Sequence, residues 1–469
     1  MMNIDFTKPS KLHFIGIGGI SMSALAELMA YRGFTVSGSD LKMTPLTERL
    51  RTLGIHVSYS QSGHNVPADC TAVIYTAAVH SDNPEMVRAK ELNIPVLERK
   101  ELLGQIMKLY HRVAGVAGSH GKTTTTSMLS LMLIEEGLDP TVMVGGVLDA
   151  IGGNLRIGSN NDYLVAEACE YCNSFLSFYP TDAIILNVEA EHLDFFTDLD
   201  DIRNSFRAYA KLLPKDGILV INGECDRPAD LVEGVAAKVV TYGICDSPAD
   251  CNKYDVCATE ISFGPDGCGN YDLYRNGTLL GRISLRVLGR HNISDSLAAV
   301  ALALCYGVSF RSVSKALIKY TGTHRRFEYK GSKDGIRIYD DYAHHPSEIR
   351  ATLTAARSCV APGEKLWCVF QPHTYSRTKA FLSDFADVLA LADSIVLADI
   401  YSASREVDPG DISSEDIARL LWEKGKEVYY FHSFSEIENF LSTHCEANDL
   451  LITMGAGDIV SVAEHLIKS

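Results

Sequence analysis

From position 113 to 134 the chain permits little besides one local structure. Val113 to Ala117 is an apolar run that reads as a short buried strand, Gly118-Ser-His-Gly-Lys-Thr-Thr124 is a turn, and Ser127 to Ile134 has the apolar content of a helix. A strand feeding a glycine turn and then a helix makes a phosphate cradle. Gly118 and Gly121 let the backbone come close to an anion, while exposed N–H groups and the helix dipole favour negative charge. Lys122 adds a point charge able to reach β and γ phosphates, and Thr123 is placed to set its hydroxyl on Mg²⁺. The strict form of this loop wants a glycine at position 116, which is Val116, so the chain carries a shortened Gly-x-x-Gly-Lys-Thr. With a strand before it and a helix after it, nucleotide binding is expected rather than an ordinary turn.

A chain of 469 residues should hold about three domains, each with its own core. The expected boundaries are 1–108, 109–320 and 321–469. The net charge of −16 argues against a general nucleic-acid or anionic-membrane surface, so anionic ligands must be met by local clusters. No apolar run approaches ~20 residues and the start lacks the pattern of an export signal, so a cytoplasmic location is expected. The twelve cysteines are scattered, and free thiols are expected. Cys169 and Cys172 form a Cys-x-x-Cys without a second pair at zinc spacing, so neither a metal nor a redox role is expected of them.

The first unit opens with a strand, a glycine turn and a helix over residues 11–26, followed by a second strand, Thr35 to Asp40. That is half of a doubly wound nucleotide-binding unit, with Gly16, Gly18 and Gly19 at the turn and an acid ending the second strand. Ser21 stands where a third glycine would fall, so the pattern says only that a phosphorylated ligand meets a helix N-terminus, and a nicotinamide-dependent oxidoreductase is one reading. Further strands are expected at Ala72 to Tyr75, running into Thr76, and at Ile94 to Leu97.

In the second unit one strand delivers Glu167 and Glu170 to its C-terminal end, and another, Ala183 to Val188, delivers Glu189, Glu191, His192 and Asp194 to the same edge. Carboxylates and an imidazole beside a triphosphate loop suit Mg²⁺. Residues 225–290, with turns at Pro265-Asp-Gly267 and Asn276-Gly277, read as a structural β-hairpin insertion. An apolar helix follows, with His291 and Asn292 at its start as either caps or ligand contacts. In the third unit, strands ending at Tyr339, Phe370, Tyr401 and Met454 each run into polar or glycine-rich residues, which makes a third α/β domain with a ligand-facing edge. His344, His373 and Arg377 lie just past such strand ends.

Taken together, His-Phe-Ile-Gly-Ile-Gly-Gly at 13–19, Gly-Ser-His-Gly-Lys-Thr-Thr at 118–124, Glu-x-x-Glu at 167–170, Glu-His-Leu-Asp at 191–194, Gly-Arg-His-Asn at 289–292, Arg-Arg-Phe at 325–327, Asp-Asp-Tyr-Ala-His-His-Pro at 340–346 and Gln-Pro-His-Thr-Tyr-Ser-Arg at 371–377 closely resemble the Mur ligases. The resemblance covers nearly the whole chain in order. It implies three α/β domains: an N-terminal Rossmann-like domain, a central P-loop ATPase-like domain with a mostly parallel sheet, and a C-terminal Rossmann-like domain. It also implies an ATP-dependent, ADP-releasing amide ligase of peptidoglycan synthesis that joins L-alanine to the carboxylate of UDP-N-acetylmuramate through an acyl phosphate. Within the family, attachment of a whole tripeptide is the alternative. A monomer or homodimer is expected.

Residue by residue, the resemblance sets Gly16, Gly18 and Gly19 at the UDP diphosphate, with Ser39, Asp40 and Thr76 nearby. Gly118, Ser119, His120, Gly121, Lys122, Thr123 and Thr124 hold the ATP phosphates. One Mg²⁺ falls to Thr123 and Glu167, a second to His192. Asn292, Asp295, Arg326 and Asp341 contact the nucleotide, and Tyr342, His344, His373 and Arg377 line the alanine site, where the Arg377 fork suits a carboxylate. Lys122, Glu167, His192, His344 and Arg377 are the catalytic set. Two positions depart from the family pattern. Asp295 replaces an asparagine near the adenine and, as a carboxylate, accepts but does not donate; Glu191 replaces an aspartate, one methylene shorter.

Overall fold

The computed structural model describes residues 2–193, 195–264, 266–402 and 406–468, so Asp194 of the acidic segment and Pro265 of the expected turn lie outside the described residues. Three sheets of five, ten and six strands follow one another along the chain.

The first is wholly parallel. Lys11–Ile15 pairs with Thr35–Ser39 on one side and Ala72–Tyr75 on the other, and His56–Ser58 and Val96–Glu98 form the edges. The chain reverses direction at Lys11–Ile15, so a crevice opens at that strand's carboxyl end, where ligands bind in doubly wound sheets. The final strand begins at Val96 rather than Ile94; Pro95, which has no N–H, precedes it.

The second sheet carries Arg112–Ala117 in its interior between Tyr163–Glu167 and Asp182–Ile185. Its strands are buried on both faces, and all but one residue of Arg112–Ala117 is buried, which explains the unalternating apolar run. Close packing sets the residue at 115: a Cβ there would lie 2.1 Å from the Tyr209 hydroxyl, so only glycine fits. The expected hairpin insertion is instead a continuation of this sheet. Val256–Phe263 pairs in parallel with Lys238–Ile244, and Cys268–Arg275 and Thr278–Leu288 then add in antiparallel fashion. Tyr271, Leu273, Ile283, Leu285 and Val287 alternate inward on those strands and join one core with the helices Lys122–Glu136, Arg290–Cys305 and Phe310–Lys319. Sealing that apolar face gives the edge strands a reason to stay in the sheet, at about 1.5–3 kcal/mol per fully buried large side chain.

The third sheet has the order Glu328–Lys333, Ile336–Asp341, Leu450–Met454, Leu366–Phe370, Ser394–Leu397, Glu427–Tyr430, with only the first pair antiparallel. Trp367 is buried on Leu366–Phe370 and its indole N–H donates to Asp449 at 3.0 Å. The strand expected to run to Tyr401 ends at Leu397, and Tyr401 makes an isolated bridge with His373. Each sheet thus turns a carboxyl edge bearing polar residues toward the crevices described next.

Candidate active site

The interior position of Arg112–Ala117 sets its outgoing turn between two acidic strand ends: Val116 pairs with Glu167, and Ala117 pairs with Ile185. The helix begins at Lys122 directly after Gly121, whose φ of +84° is a left-handed conformation that glycine adopts freely. The turn is tied to the neighbouring strand end, since the Glu189 N–H donates to the Ser119 hydroxyl at 2.9 Å and the His120 N–H to Asn187 Oδ1 at 2.8 Å. The Lys122 ammonium folds back to the Ser119 carbonyl at 3.0 Å and the Glu170 carboxylate at 3.1 Å. Burial is the largest single influence and would lower its pKa, but Glu170 and Glu191 with the other neighbours together outweigh it and raise the pKa, so the charge persists at neutral pH.

Glu170, not Glu167, is the acid that meets the lysine. Glu167 turns the other way and accepts from the Gly145 N–H at 2.6 Å, whereas the ligand atoms of Glu170, Glu191 and His192 lie within 4.8 Å of one another. His192 Nε2 is 3.6 Å from Glu170, and His192 adopts a left-handed φ of +56°, a strain that presents its ring to the two acids. Two hard carboxylates and an imidazole fit a divalent cation such as Mg²⁺. Glu170 thus joins this cluster three residues past the strand end, while Glu167 shares a crevice wall with Thr123, the residue it was expected to accompany. Among the described residues no metal-ligand cluster includes a cysteine, and all twelve thiols are free.

The third sheet closes over this edge. Glu191 stands 3.5 Å from Arg377 and 3.7 Å from His344. Burial disfavours its charge, but His192, His120, His344 and Lys122 outweigh burial and hold its carboxyl well below the usual range. Glu348 lies 3.1 Å from both His344 Nδ1 and His120 Nδ1, and His120 Nε2 meets the Ser347 hydroxyl at 2.9 Å and Glu189 at 3.3 Å. Burial would lower the His120 pKa; Glu348 and Glu189 lift it to about 10. His120, Glu189 and His345 also converge, their ligand atoms within 4.8 Å of one another. Arg377 Nη1 also meets His373 Nδ1 at 3.0 Å.

Three crevices surround this network. The largest, about 600 Å³, runs from the first sheet to the third and includes Ser21, Arg99, Thr123, Glu167, Arg326 and Tyr342 in its wall. A second, about 200 Å³, lies beyond the phosphate turn and is walled by Thr124, Asn292, Asp295, Tyr320, Arg326 and Asp341. The third, about 150 Å³, is walled by His192, Leu193, Thr374, Ser376, Arg377 and Phe381. Of the four residues expected around alanine, only Arg377 lines this small crevice. Tyr342 belongs to the large one, stacked under the Arg325 and Arg326 guanidiniums at 5.0 and 5.2 Å, while His344 and His373 stand behind Arg377.

In the second crevice Asn292 is not a cap: Gly289 precedes the helix, and the Asn292 amide donates to the Leu288 carbonyl at 2.6 Å. Asp341 is an anchor, accepting from the N–H groups of Ala343 and Phe327 and from Thr352, and burial pushes its carboxyl up to about 6. Burial likewise pushes Asp295 up to about 8. At neutral pH it is therefore largely protonated and both donates and accepts, which corrects the expectation of an acceptor only.

The first glycine turn also differs from expectation. The N–H groups of Gly16, Ile17, Gly18 and Gly19 are taken by the Ser39 carbonyl, the Asp40 carboxylate and the Gly16 carbonyl. Asp40 is thus a clasp on the turn, Ser39 is buried and donates to Glu85 at 2.7 Å, and Thr76 packs beneath Gly16. The crevice is instead met by the start of helix Ile20–Tyr31, where Arg99 donates to the Ser21 hydroxyl at 3.0 Å. Ser21, the departure from the glycine pattern, was the one visible signal; Arg99 had none, because it enters from a helix 78 residues away.

Three family models match in order: the Mur ligase family catalytic domain over residues 11–111, the Mur ligase middle domain over 116–303 and the Mur ligase glutamate ligase domain over 325–457. The phosphate turn, the acidic strand ends and the histidine-bearing third sheet are thus those of a known class, and the chain belongs to the Mur ligase family. It is 55% identical over 472 residues, all of both chains, to the UDP-N-acetylmuramate–L-alanine ligase of Lachnoclostridium phytofermentans, and 53% identical over 468 residues, again all of both, to that of Agathobacter rectalis. The crystal structure of UDP-N-acetylmuramate-alanine ligase from Thermotoga maritima superposes with a TM-score of 0.82 at 31% identity, covering 98% of each chain.

Proposed function

We propose that this protein joins L-alanine to the carboxylate of UDP-N-acetylmuramate at the expense of ATP, in the cytoplasmic stage of peptidoglycan synthesis, as a monomer or homodimer. The observation that carries the reading is the Lys122–Glu170–His192–Glu191–Arg377 chain of charges, which joins the phosphate turn to the small crevice of the third sheet. A carboxylate is a poor electrophile. In this reading one of its oxygens takes the γ-phosphoryl group, ADP departs, the alanine nitrogen attacks the acyl carbon, and inorganic phosphate leaves with the former carboxylate oxygen.

The residues have separate tasks. Lys122 holds its ammonium where negative charge develops on the moving phosphoryl group. Glu170, Glu191 and His192, with the Thr123 hydroxyl, are the set that would hold Mg²⁺, which when bound supplies charge neutralisation on the phosphates. Ser21, Arg99 and the start of helix Ile20–Tyr31 receive the diphosphate of the UDP-sugar at the large crevice. Arg377 takes the carboxylate of alanine, and a crevice of about 150 Å³ suits a small amino acid. His344, between Glu191 and Glu348, holds these two acids in place beside Arg377. The glycine turn of the first sheet gives a nicotinamide reading no support, since its N–H groups already have acceptors.

The test is an ADP-release assay with ATP, UDP-N-acetylmuramate and a panel of alanine, glycine, serine and a cell-wall tripeptide. Release only with the complete set and alanine is expected. Release that ignores the amino acid, or that prefers the tripeptide, would overturn the reading.

A further inference from the structure

We propose that His120, Glu189 and His345 form a binding site for a borderline divalent ion such as Zn²⁺, separate from the cluster that fits Mg²⁺, and that the bound ion clasps the phosphate turn of the second sheet to the third sheet.

Three ligand atoms converge there. His120 Nε2 lies 3.3 Å from Glu189 Oε2, His345 Nδ1 lies 4.0 Å from the same oxygen, and all three atoms are within 4.8 Å of one another. A tetrahedral ion with bonds of about 2.0–2.1 Å sets its ligands roughly 3.3 Å apart. One pair already has that spacing, and small rotations of the His345 ring bring in the third atom. His120 belongs to the turn before helix Lys122–Glu136, Glu189 follows the strand Asp182–Ile185, and His345 caps helix Pro346–Arg357 of the third sheet. None of the three belongs to the cluster of Glu170, Glu191 and His192.

The hydrogen bonds point to a cation by a second route. His345 donates its Nε2–H to the Ala190 carbonyl at 3.3 Å, which leaves the Nδ1 lone pair facing inward, and burial, with the nearby His120, keeps the ring neutral. His120 turns Nδ1 to Glu348 at 3.1 Å and Nε2 inward. An imidazole with its outer nitrogen against a carboxylate or a carbonyl is the arrangement of a metal-bound histidine. Ser347 Oγ stands among the inner atoms, 2.9 Å from His120 Nε2 and 2.8 Å from His345 Nδ1. A hydroxyl has one proton to give, whereas both inner nitrogens and Glu189 can accept it. In the ion-free protein a proton held on His120 supplies the positive charge that these acceptors demand. A divalent ion serves all of them at once and releases that proton.

The donor set chooses the ion. Two imidazoles and one carboxylate suit Zn²⁺ and its neighbours in the transition row, whereas Mg²⁺ takes oxygen ligands and keeps several waters. Glu348 and Glu191 add negative charge around His120, and Arg326, a cation in the same wall, is turned to Glu348 at 3.8 Å. His120, Glu189 and Ser347 all line the crevice of about 200 Å³, so the fourth position falls to the Ser347 hydroxyl or to a ligand in that crevice.

Calorimetric titration of Zn²⁺ into the full chain in excess Mg²⁺, which fills oxygen-rich sites and spares imidazoles, tests the site. Wild type and His192→Ala should show the same saturable binding, whereas His345→Ala and Glu189→Gln should weaken it about tenfold or more. Glu189→Gln keeps a hydrogen-bonding group of the same size on a partly exposed side chain, so it decides the matter if His345→Ala fails to fold. Zn²⁺ should also raise the melting temperature of wild type more than that of Glu189→Gln, because an ion that bridges two sheets binds only the folded chain. Unchanged affinity in Glu189→Gln would place the ion elsewhere, on thiols for instance, and overturn the proposal. Loss of binding in His192→Ala would assign the ion to the other cluster and overturn it too, as would a wild type that binds no Zn²⁺.

Discussion

At the scale of single residues, the site turns on which acid meets Lys122. The structure sets Glu170 at 3.1 Å from the ammonium and turns Glu167 to the Gly145 N–H. Glu170→Gln should raise the Mg²⁺ concentration needed for half-maximal ADP release about tenfold or more, while Glu167→Gln stays within about threefold, as a magnesium titration of both variants would show. The sequence made both glutamates visible as Glu-x-x-Glu but not their directions. Strand alternation ends at Glu167, and the Cys169-Glu170-Tyr171 bend that swings the second acid inward follows no period. Asp295 supplies a second residue-level prediction, in stability. Its folded carboxyl keeps a proton up to about 8 that the unfolded chain loses near 3.8, so the unfolded state binds fewer protons in that window and stability falls as pH rises through it. Asp295→Asn removes this fall, and its melting temperature should gain on wild type progressively from about pH 4 to about pH 8.

At the scale of elements, strands and helices were legible where one period dominates. Leu366–Phe370, Leu450–Met454 and the helix after the phosphate turn follow directly from apolar runs and flanking glycines. The edge strands Val256–Leu288 were visible as strands, but not their partner: pairing with Lys238–Ile244 is a nonlocal contact that no short window contains. The first glycine turn likewise has a partner that no short window contains. Its composition suits an anion, yet Asp40, 22 residues beyond Gly18, consumes the N–H that the anion would need. The phosphate turn itself makes a sharper prediction. Gly121→Ala must place a Cβ against Asp295 and hold a φ of +84°, and should cost about 2–4 kcal/mol in chemical denaturation. Adding Asp295→Ala should recover only the part due to the clash, leaving about 1 kcal/mol of backbone strain.

At the scale of the whole molecule, the second and third sheets are joined through a buried seam in which Glu348 receives His120 from one side and His344 from the other. His120 gains its charge in the folded state, so its contribution is full below about pH 6.5 and is lost as pH rises through about 10. The Glu348 carboxyl is held well below its usual value, because the charges of His344 and His120 outweigh burial, so its contribution is present above about pH 4.5 and lost on acidification. Glu348→Gln should therefore lower the melting temperature most near neutral pH and least at the alkaline end, in a pH series of thermal scans. The seam was not legible in the sequence, because its members come from positions 120, 189, 344 and 348 and meet only when two sheets close on each other.

The half-buried Cys169, in the wall of the large crevice, bears on chemical durability. Its surroundings push the thiol up to about 11, so at neutral pH only about one molecule in 10⁴ carries the reactive thiolate. A cysteine beside Glu170 is thus no entry point for oxidants or alkylating drugs. Iodoacetamide mapping should find Cys169 labelled far more slowly in the folded protein than in urea.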